Sequence, residues 1–266
     1  MRLFAALTLA LLAGCGAASE QAPEQPAFEP ETVTARPYCE PRNFEGTPFT
    51  ICRFDASQQE LRLVVDSPAS PPLRSFAALE TSLGPDADRV LFAMNAGMYD
   101  EVGRPIGLFI ADGEERKPVN LRSGSGNFHL LPNGVFAVDA EGRVSVTAAD
   151  KFKRRVPAPR LATQSGPMLV IDGKLHPKFD EDGESRLVRN GVGMRDGKTA
   201  YFAISEEGVS FGRFARLFRD ALGCPNALYL DGTVSSLWDP GAGRQDAYDQ
   251  LGPLLVVLSR PSSSAR

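Results

Sequence analysis

Residues 210–238 read SFGRFARLFRDALGCPNALYLDGTVSSLW, and this stretch decides the fold because it sets a helix and a strand end to end. In its first half Phe211, Phe214, Ala215, Phe218 and Leu222 recur at helical spacing and form a wide apolar stripe. Arg213, Arg216 and Arg219 fall off that stripe and are expected in solvent. Through Cys224 and Pro225 the helix leads directly into an apolar strand, Ala227 to Leu230, that ends on Asp231-Gly232 with Ser235 and Ser236 just beyond. An Asp-Gly pair in that place is either a turn or the strand-end carboxylate of a site. The stretch alone leaves both readings open.

Short apolar runs alternate with turn signals through the rest of the chain. They predict strands at Thr50–Phe54, Leu61–Val65, Val90–Met94, Gly107–Ala111, Gly134–Val138, Met168–Ile171, Thr199–Ile204, Ala227–Leu230 and Leu254–Leu258. Asp172-Gly173 and Asp196-Gly197 separate strand-like runs as hairpin turns do. A second helix is expected in PPLRSFAALETSLG, where Leu73, Phe76, Ala77 and Leu83 share a face and Gly84 ends it. Many strands and few helices without a regular βαβ rhythm predict an α+β fold. The expected architecture is a single domain, residues 37–259, with a mixed, largely antiparallel β-sheet and a few packed helices.

The composition, 42% apolar and 23% charged over 266 residues, is that of a globular protein with a sizeable core. A net charge of −4 leaves no basic footprint for nucleic acid. The run KFKRR at 151–155 is expected to be a solvated loop. Arg2 precedes an apolar run, Leu3 to Ala13, that is too short to span a bilayer and fits the core of a signal peptide. That run ends in Leu12-Ala13-Gly14-Cys15, which resembles the lipobox of bacterial lipoproteins.

The resemblance implies a signal peptide over 1–14, lipidation of Cys15, and a flexible tether rich in Ala, Glu and Pro up to residue 36. The expected address is the bacterial cell envelope, lipid-anchored and periplasm-facing. Ordinary secretion, with cleavage near Ala17 or Ala18, is the alternative. Residues 260–266 are expected to be a disordered tail. Of the remaining cysteines, Cys39 and Cys52 flank a short segment and are expected to pair in an oxidising compartment. Cys224 is expected as a buried free thiol.

Four polar clusters interrupt apolar strand ends. FAMNAGMYDEVGRPIGLF places Asn95 at a strand end and Gly97 where backbone approaches closely. SGSGNFHLLPNGVF carries Asn127 and His129, ATQSGPMLVIDG carries Gln164 and Ser165, and RNGVGM carries Arg189 and Asn190. Each alone reads as turn chemistry. Converging amide, hydroxyl, guanidinium and carboxylate groups are what a sugar or phosphate site needs. There is no G-x-S-x-G elbow and no P-loop, no spacing resembles a zinc site, and with only His129 and His176 a histidine-rich metal cluster is excluded.

Taken together, NAGMYDEVGRPIGL, NFHLLPNGVF, ATQSGPMLVIDGKLHP, RNGVGM and FARLFRDALGCPNALYLDGTVSSLW resemble the phosphodiester glycosidase family, over about residues 45–258. It is the family of the lysosomal uncovering enzyme, N-acetylglucosamine-1-phosphodiester α-N-acetylglucosaminidase, and the similarity is greater to its bacterial branch. The animal members carry a glycine run after the equivalent aspartate, where this chain has Thr233 and Val234. Side chains there are expected to reshape the pocket.

The resemblance implies hydrolysis of a sugar 1-phosphodiester. A phosphate monoester is a good leaving group, so the site needs a carboxylate and phosphate-holding donors more than the usual carboxylate pair. Asp231 is expected as the catalytic carboxylate beside Asn95, with Arg189 as a phosphate clamp. Gly97, Asn127, Gln164, Ser165, Asn190, Gly232, Ser235 and Ser236 would bind substrate, and Asp100 is the reserve carboxylate. No cofactor is required by the sequence. A divalent cation between Asp231 and phosphate is compatible with it. A glycan-binding lipoprotein without turnover and a phosphodiesterase are the competing readings.

Overall fold

The computed structural model describes residues 37–66 and 72–261. The expected signal segment, the tether with Cys15, and residues 262–266 lie outside the described residues. The strands, in chain order, begin with β1 (Cys39–Phe44), β2 (Thr47–Asp55), β3 (Gln59–Val64), β4 (Val90–Asn95), β5 (Phe109–Ala111) and β6 (Glu114–Lys117). Next come β7 (Gly134–Asp139), β8 (Val144–Ala148), β9 (Pro159–Ser165), β10 (Met168–Ile171), β11 (Lys174–Leu175) and β12 (Asn190–Met194). The last are β13 (Thr199–Ser205), β14 (Asn226–Asp231), β15 (Leu237–Asp239), β16 (Arg244–Gln245) and β17 (Leu254–Ser259). Three α-helices accompany them: α1 (Phe76–Leu83), α2 (Phe152–Arg155) and α3 (Phe211–Arg216).

The strands form three sheets rather than one. Their orders are β1-β2-β13-β12-β14-β10-β11, β16-β15-β4-β17-β3 and β6-β5-β9-β7-β8. Every pairing among the described strands is antiparallel, so the expected mixed character is corrected. The reason lies in the connections: tight turns such as Asp172-Gly173, with φ of 47° and 80°, fold a strand straight back on its neighbour. A parallel pair would need a long crossover.

One apolar core lies between the sheets, where Phe54, Phe92, Phe109, Phe136, Phe202, Leu228 and Leu255 meet. The outer face of each sheet is covered by a helix: Phe214 and Phe218 over Leu169 and Tyr229, Phe76 and Leu79 over Val256, and Phe152 over Val135. Burial of this kind supplies the driving force, at roughly 25 cal/mol per Å² of apolar surface.

The helices differ in detail from the expected ones. In α1 the Ser75 hydroxyl accepts from the Ala78 N–H and caps the start, which leaves Leu73 buried outside the helix. Ala77 faces solvent, because the buried face is Phe76 and Leu79. After α3 the chain widens into a turn over Leu217–Ala221, closed by the Leu222 N–H on the Leu217 carbonyl. Its arginines are half-buried and paired rather than freely solvated: Arg216 grips Glu45 at 2.8 and 2.7 Å, and Arg213 reaches Thr47 and Asp182. The basic run near 151–155 forms α2, with Phe152 inside and Lys153, Arg154 and Arg155 exposed.

Cys39 and Cys52 stand directly opposite on β1 and β2 and form a disulfide. Cys224 is a buried free thiol, and burial pushes it up to about 12. Arg260, expected in the tail, donates to the Ala56 carbonyl. Among the described residues no helix is long and apolar enough to cross a membrane.

Candidate active site

Antiparallel registry brings the expected residues to one end of the sheets. Asn190 opens β12 opposite Asp231, the last residue of β14, and Asn95, the last residue of β4, faces Leu254 at the start of β17. Ser165 closes β9 opposite Gly134. Beyond these ends lie the loops 96–108, 118–133, 176–189, 232–236 and 246–253.

Asn95, Asn190, Asp231 and the serines form one hydrogen-bonded chain. Asn95 Oδ1 accepts from Asn190 Nδ2 and from the Ser236 N–H, both at 2.9 Å. Asn190 Oδ1 accepts from the Asp231 N–H at 2.9 Å and from Ser235 Oγ at 3.3 Å. Both amides are buried, so they lock the end of β14 to the end of β4 across the seam between two sheets. The two donors on Asn95 Oδ1 fix the orientation of its amide. Its Nδ2 is buried without a partner.

The Asp231 carboxyl sits at the head of this chain. Oδ1 accepts from the Gly232 N–H at 2.8 Å, while among the described residues no hydrogen bond reaches Oδ2. Desolvation raises the carboxyl from its ordinary 3.8 to about 6, opposed only by the Gly232 N–H. Among the described residues no cation offsets the burial. A carboxylate of this kind is a stronger base than one in water and titrates close to neutrality.

Arg189 is not the open clamp that the sequence predicts. Residues 189 and 190 point to opposite faces of the strand edge, so Asn190 enters the seam and Arg189 is buried on the α3 side. Its Nε donates to the Val209 carbonyl at 2.8 Å, one terminal nitrogen donates to Ser185, and the other lies 3.4 Å from the Tyr229 hydroxyl. The guanidinium stacks on Phe211 at 3.7 Å, and burial lowers its pKa. Its planar fork is spent on protein atoms.

Tyr229 and Tyr99 approach the Asp231 end, and Arg74 lies over Tyr99; the sequence analysis missed all three. The Tyr229 hydroxyl meets Arg189, faces Asn127, and lies beneath Gly232, where an added Cβ would stand 2.4 Å from it. Tyr99 is held by its hydroxyl on the Gln250 carbonyl at 2.6 Å, and burial together with the nearby charge of Asp231 raises its pKa. Arg74 lies over the Tyr99 ring at 5.3 Å with Nη2 on Gln250 and a buried Nη1 that has no partner among the described residues. Its backbone has φ of 62°, a strained value for a side chain of this size.

The remaining expected residues serve the framework. Gln164 spends both ends on loop backbone: Oε1 accepts from the Leu108 and Asn120 N–H groups and Nε2 donates to the Asn120 carbonyl. Gly97 packs so closely that a Cβ would fall 2.3 Å from the Gln164 carbonyl oxygen. Ser165 donates to the Leu230 carbonyl, Ser236 to that of Val234, and Ser235 to that of Asp231. Asp100 caps its own turn by accepting from the Val102 and Arg104 N–H groups.

Val234 packs toward the cluster of Leu73, Phe76 and Trp238, and Thr233 is exposed. Val234 therefore does not line the Asp231 side as expected. His176 is buried, accepts from the Lys178 N–H through Nδ1 and so donates through Nε2 to the Leu131 carbonyl. His129 hydrogen-bonds to the Arg122 carbonyl. Among the described residues no group of three His, Cys, Asp or Glu side chains could hold a metal ion.

A family model described as phosphodiester glycosidase matches residues 88–251, which include every candidate from Asn95 to Ser236. The uncharacterized protein YigE of Escherichia coli (strain K12) is 39% identical over 153 residues, 58% of this chain. That match spans 59% of the relative's own length. Two solved structures share the fold. The zebrafish N-acetylglucosamine-1-phosphodiester alpha-N-acetylglucosaminidase catalytic domain, auto-inhibited by its pro-peptide, gives a TM-score of 0.57 at 13% identity, covering 84% of this chain and 82% of that one. A hypothetical protein from Synechocystis gives 0.55 at 14%, covering 84% and 61%. At these identities the likeness concerns the arrangement of strands and helices.

Proposed function

The chain belongs to the phosphodiester glycosidase family, and from that premise we propose that it hydrolyses the glycosidic bond of a sugar 1-phosphodiester at Asp231. The observation that carries the reading is the carboxyl itself: desolvated, shifted to about 6, anchored through one oxygen and uncommitted at the other. A residue placed only to cap a turn would have no need of that burial.

In the proposed reaction the bond from the anomeric carbon to the bridging oxygen breaks, and the phosphate monoester departs with the electron pair. Water supplies the new oxygen on the sugar and gives its proton to Asp231 Oδ2, or the carboxylate first stabilises the sugar cation. The leaving phosphate is weakly basic, which fits a site with one placed carboxylate. Asn95 and Asn190 act as positioning residues that hold the Asp231 backbone. With Arg189 enclosed, we assign the phosphate to Arg74 beside Tyr99.

For the cellular setting we propose an envelope-facing lipoprotein anchored through Cys15. Its support is the apolar segment and the Leu12-Ala13-Gly14-Cys15 motif.

The test is hydrolysis of an N-acetylglucosamine 1-phosphodiester, and a panel of α and β sugar 1-phosphodiesters, in oxygen-18 water. Label in the released sugar and none in phosphate is expected, with Asp231→Asn inactive. Label in the phosphate would instead make the protein a phosphodiesterase. Binding without release across the panel would make it a glycan-binding lipoprotein.

A further inference from the structure

Six large apolar side chains are exposed among the described residues: Tyr38, Val102, Leu121, Leu131, Leu187 and Tyr248. Single exposed apolar residues are ordinary on a protein surface, but their distribution here is not. Tyr38 precedes β1 at the end of the sheets away from Asp231. The other five all lie on loops at the Asp231 end.

The loop of Val102, 58% exposed, carries Tyr99. The loop of Leu121 and Leu131 carries Asn127, and these two leucines line a recess of about 350 Å³ with Pro132, Asn133 and Asp150. Leu187 belongs to the loop of Ser185 and Arg189, and its Cδ1 comes within 3.5 Å of the Cβ position of Gly232. Tyr248, 85% exposed, stands two residues before Gln250, whose carbonyl holds Tyr99. These five exposed side chains therefore come from four separate loops at the end of the sheets that carries Asp231.

We infer that the substrate is amphiphilic: a sugar 1-phosphodiester whose second ester arm is a long apolar chain, with sugar and phosphate at Asp231 and the chain lying across this rim. The inference rests on the hydrolase reading above for the polar half alone. Apolar side chains supplied by several loops at the end that holds the polar groups fit a flexible apolar arm leaving the site. A flat protein partner would call for one contiguous face.

The experiment compares binding of two N-acetylglucosamine 1-phosphodiesters, one with a methyl arm and one with a dodecyl arm kept below its micelle-forming concentration. Calorimetry on the full-length Asp231→Asn protein measures affinity without turnover, and wild-type kcat/KM is measured in parallel. Burial of three or four methylenes predicts a preference for the dodecyl arm of roughly 50- to 200-fold. Val102→Ser with Tyr248→Ser should lower that preference at least ~10-fold and leave methyl-arm binding unchanged. Tyr38→Ser should leave both unchanged.

Equal affinity for the two arms overturns the inference and leaves the hydrolase reading standing, as does a Tyr38→Ser loss equal to that at the rim. Dodecyl preference without turnover of either diester supports the inference and removes the hydrolase. Absence of the preference together with self-association that the rim variant abolishes reassigns the rim to a second copy of this chain.

Discussion

The Asp231 carboxyl is held at about 6 against 3.8 for a solvated aspartate, so its ionised form destabilises the folded protein. The sign follows from linkage: the folded state binds the proton more tightly, so stability is highest below the unfolded value and falls as pH rises through about 6. Near pH 7.5 the penalty is about 3 kcal/mol, and near pH 4 it is only about 0.5 kcal/mol. Asp231→Asn keeps an oxygen for the Gly232 N–H, whose bond of 2.8 Å is the carboxyl's one hydrogen bond among the described residues, and removes the charge.

The variant should therefore be more stable than the parent by ~2–3 kcal/mol near pH 7.5 and nearly equal to it near pH 4. For a domain of this size that corresponds to a rise in Tm of roughly 5–10 °C at the higher pH. Thermal and urea unfolding of both proteins at several pH values provide the measurement. A variant that is less stable near neutrality, or a difference that does not change with pH, would falsify the desolvation argument. Activity moves the other way, since the same change removes the base.

Four further outcomes follow from particular contacts. The wild-type kcat/KM should rise with pH through an ionisation near 6, because Asp231 acts as its carboxylate; a flat profile from about pH 5 to 7 would contradict that role. Gly232→Ala should lose roughly 1–3 kcal/mol of stability and at least ~10-fold in activity, since its Cβ collides with the Tyr229 hydroxyl at 2.4 Å; Gly232→Ala with Tyr229→Phe should regain most of the stability in a double-mutant cycle. Arg74→Ala should raise KM ~10-fold or more with a smaller change in kcat, whereas Arg189→Ala should chiefly unfold the protein, by ~3–5 kcal/mol, by emptying the slot under Phe211 and unpairing Val209 and Ser185; steady-state kinetics and urea titration separate the two. Replacing Cys39 and Cys52 by serine should lower stability by about 3 kcal/mol, the scale for a loop closed over 13 residues, as read by unfolding without reductant.

All nine predicted strands occur, because each is an apolar run bounded by turn residues and needs no partner to be recognised. The strands that went unread have other patterns. β12 is Asn190-Gly191-Val192-Gly193-Met194, and its glycines look like a loop. They are there because Phe214, Phe218 and Cys224 press on that strand: a Cβ on Gly193 would lie 2.5 Å from the Phe218 ring. β6, Glu114–Lys117, is fully exposed and β9 begins at a proline, so neither carries an apolar alternation from its first residue. Packing density set these sequences, and packing is not visible along one chain.

The candidate site divides along the same line. Asn95, Asn190 and Asp231 were legible because each is a polar residue that ends or opens an apolar strand, and antiparallel registry then has to bring such ends together. What each polar group does there depends on partners distant in sequence. Gln164 and Arg189 have the chemistry of ligand groups, yet one bridges two loops and the other is enclosed by Phe211, Val209 and Ser185. Tyr99 and Arg74 gave no local signal, because both are held by Gln250, a residue about 150 positions from Tyr99 in sequence. The carboxylate thus owes its basicity to the fold: among the described residues no cation is placed to offset its burial. Arg189 faces Ser185 and Tyr229, and Arg74 faces Gln250, so burial outweighs the single Gly232 N–H at Asp231 and leaves it a base near neutral pH.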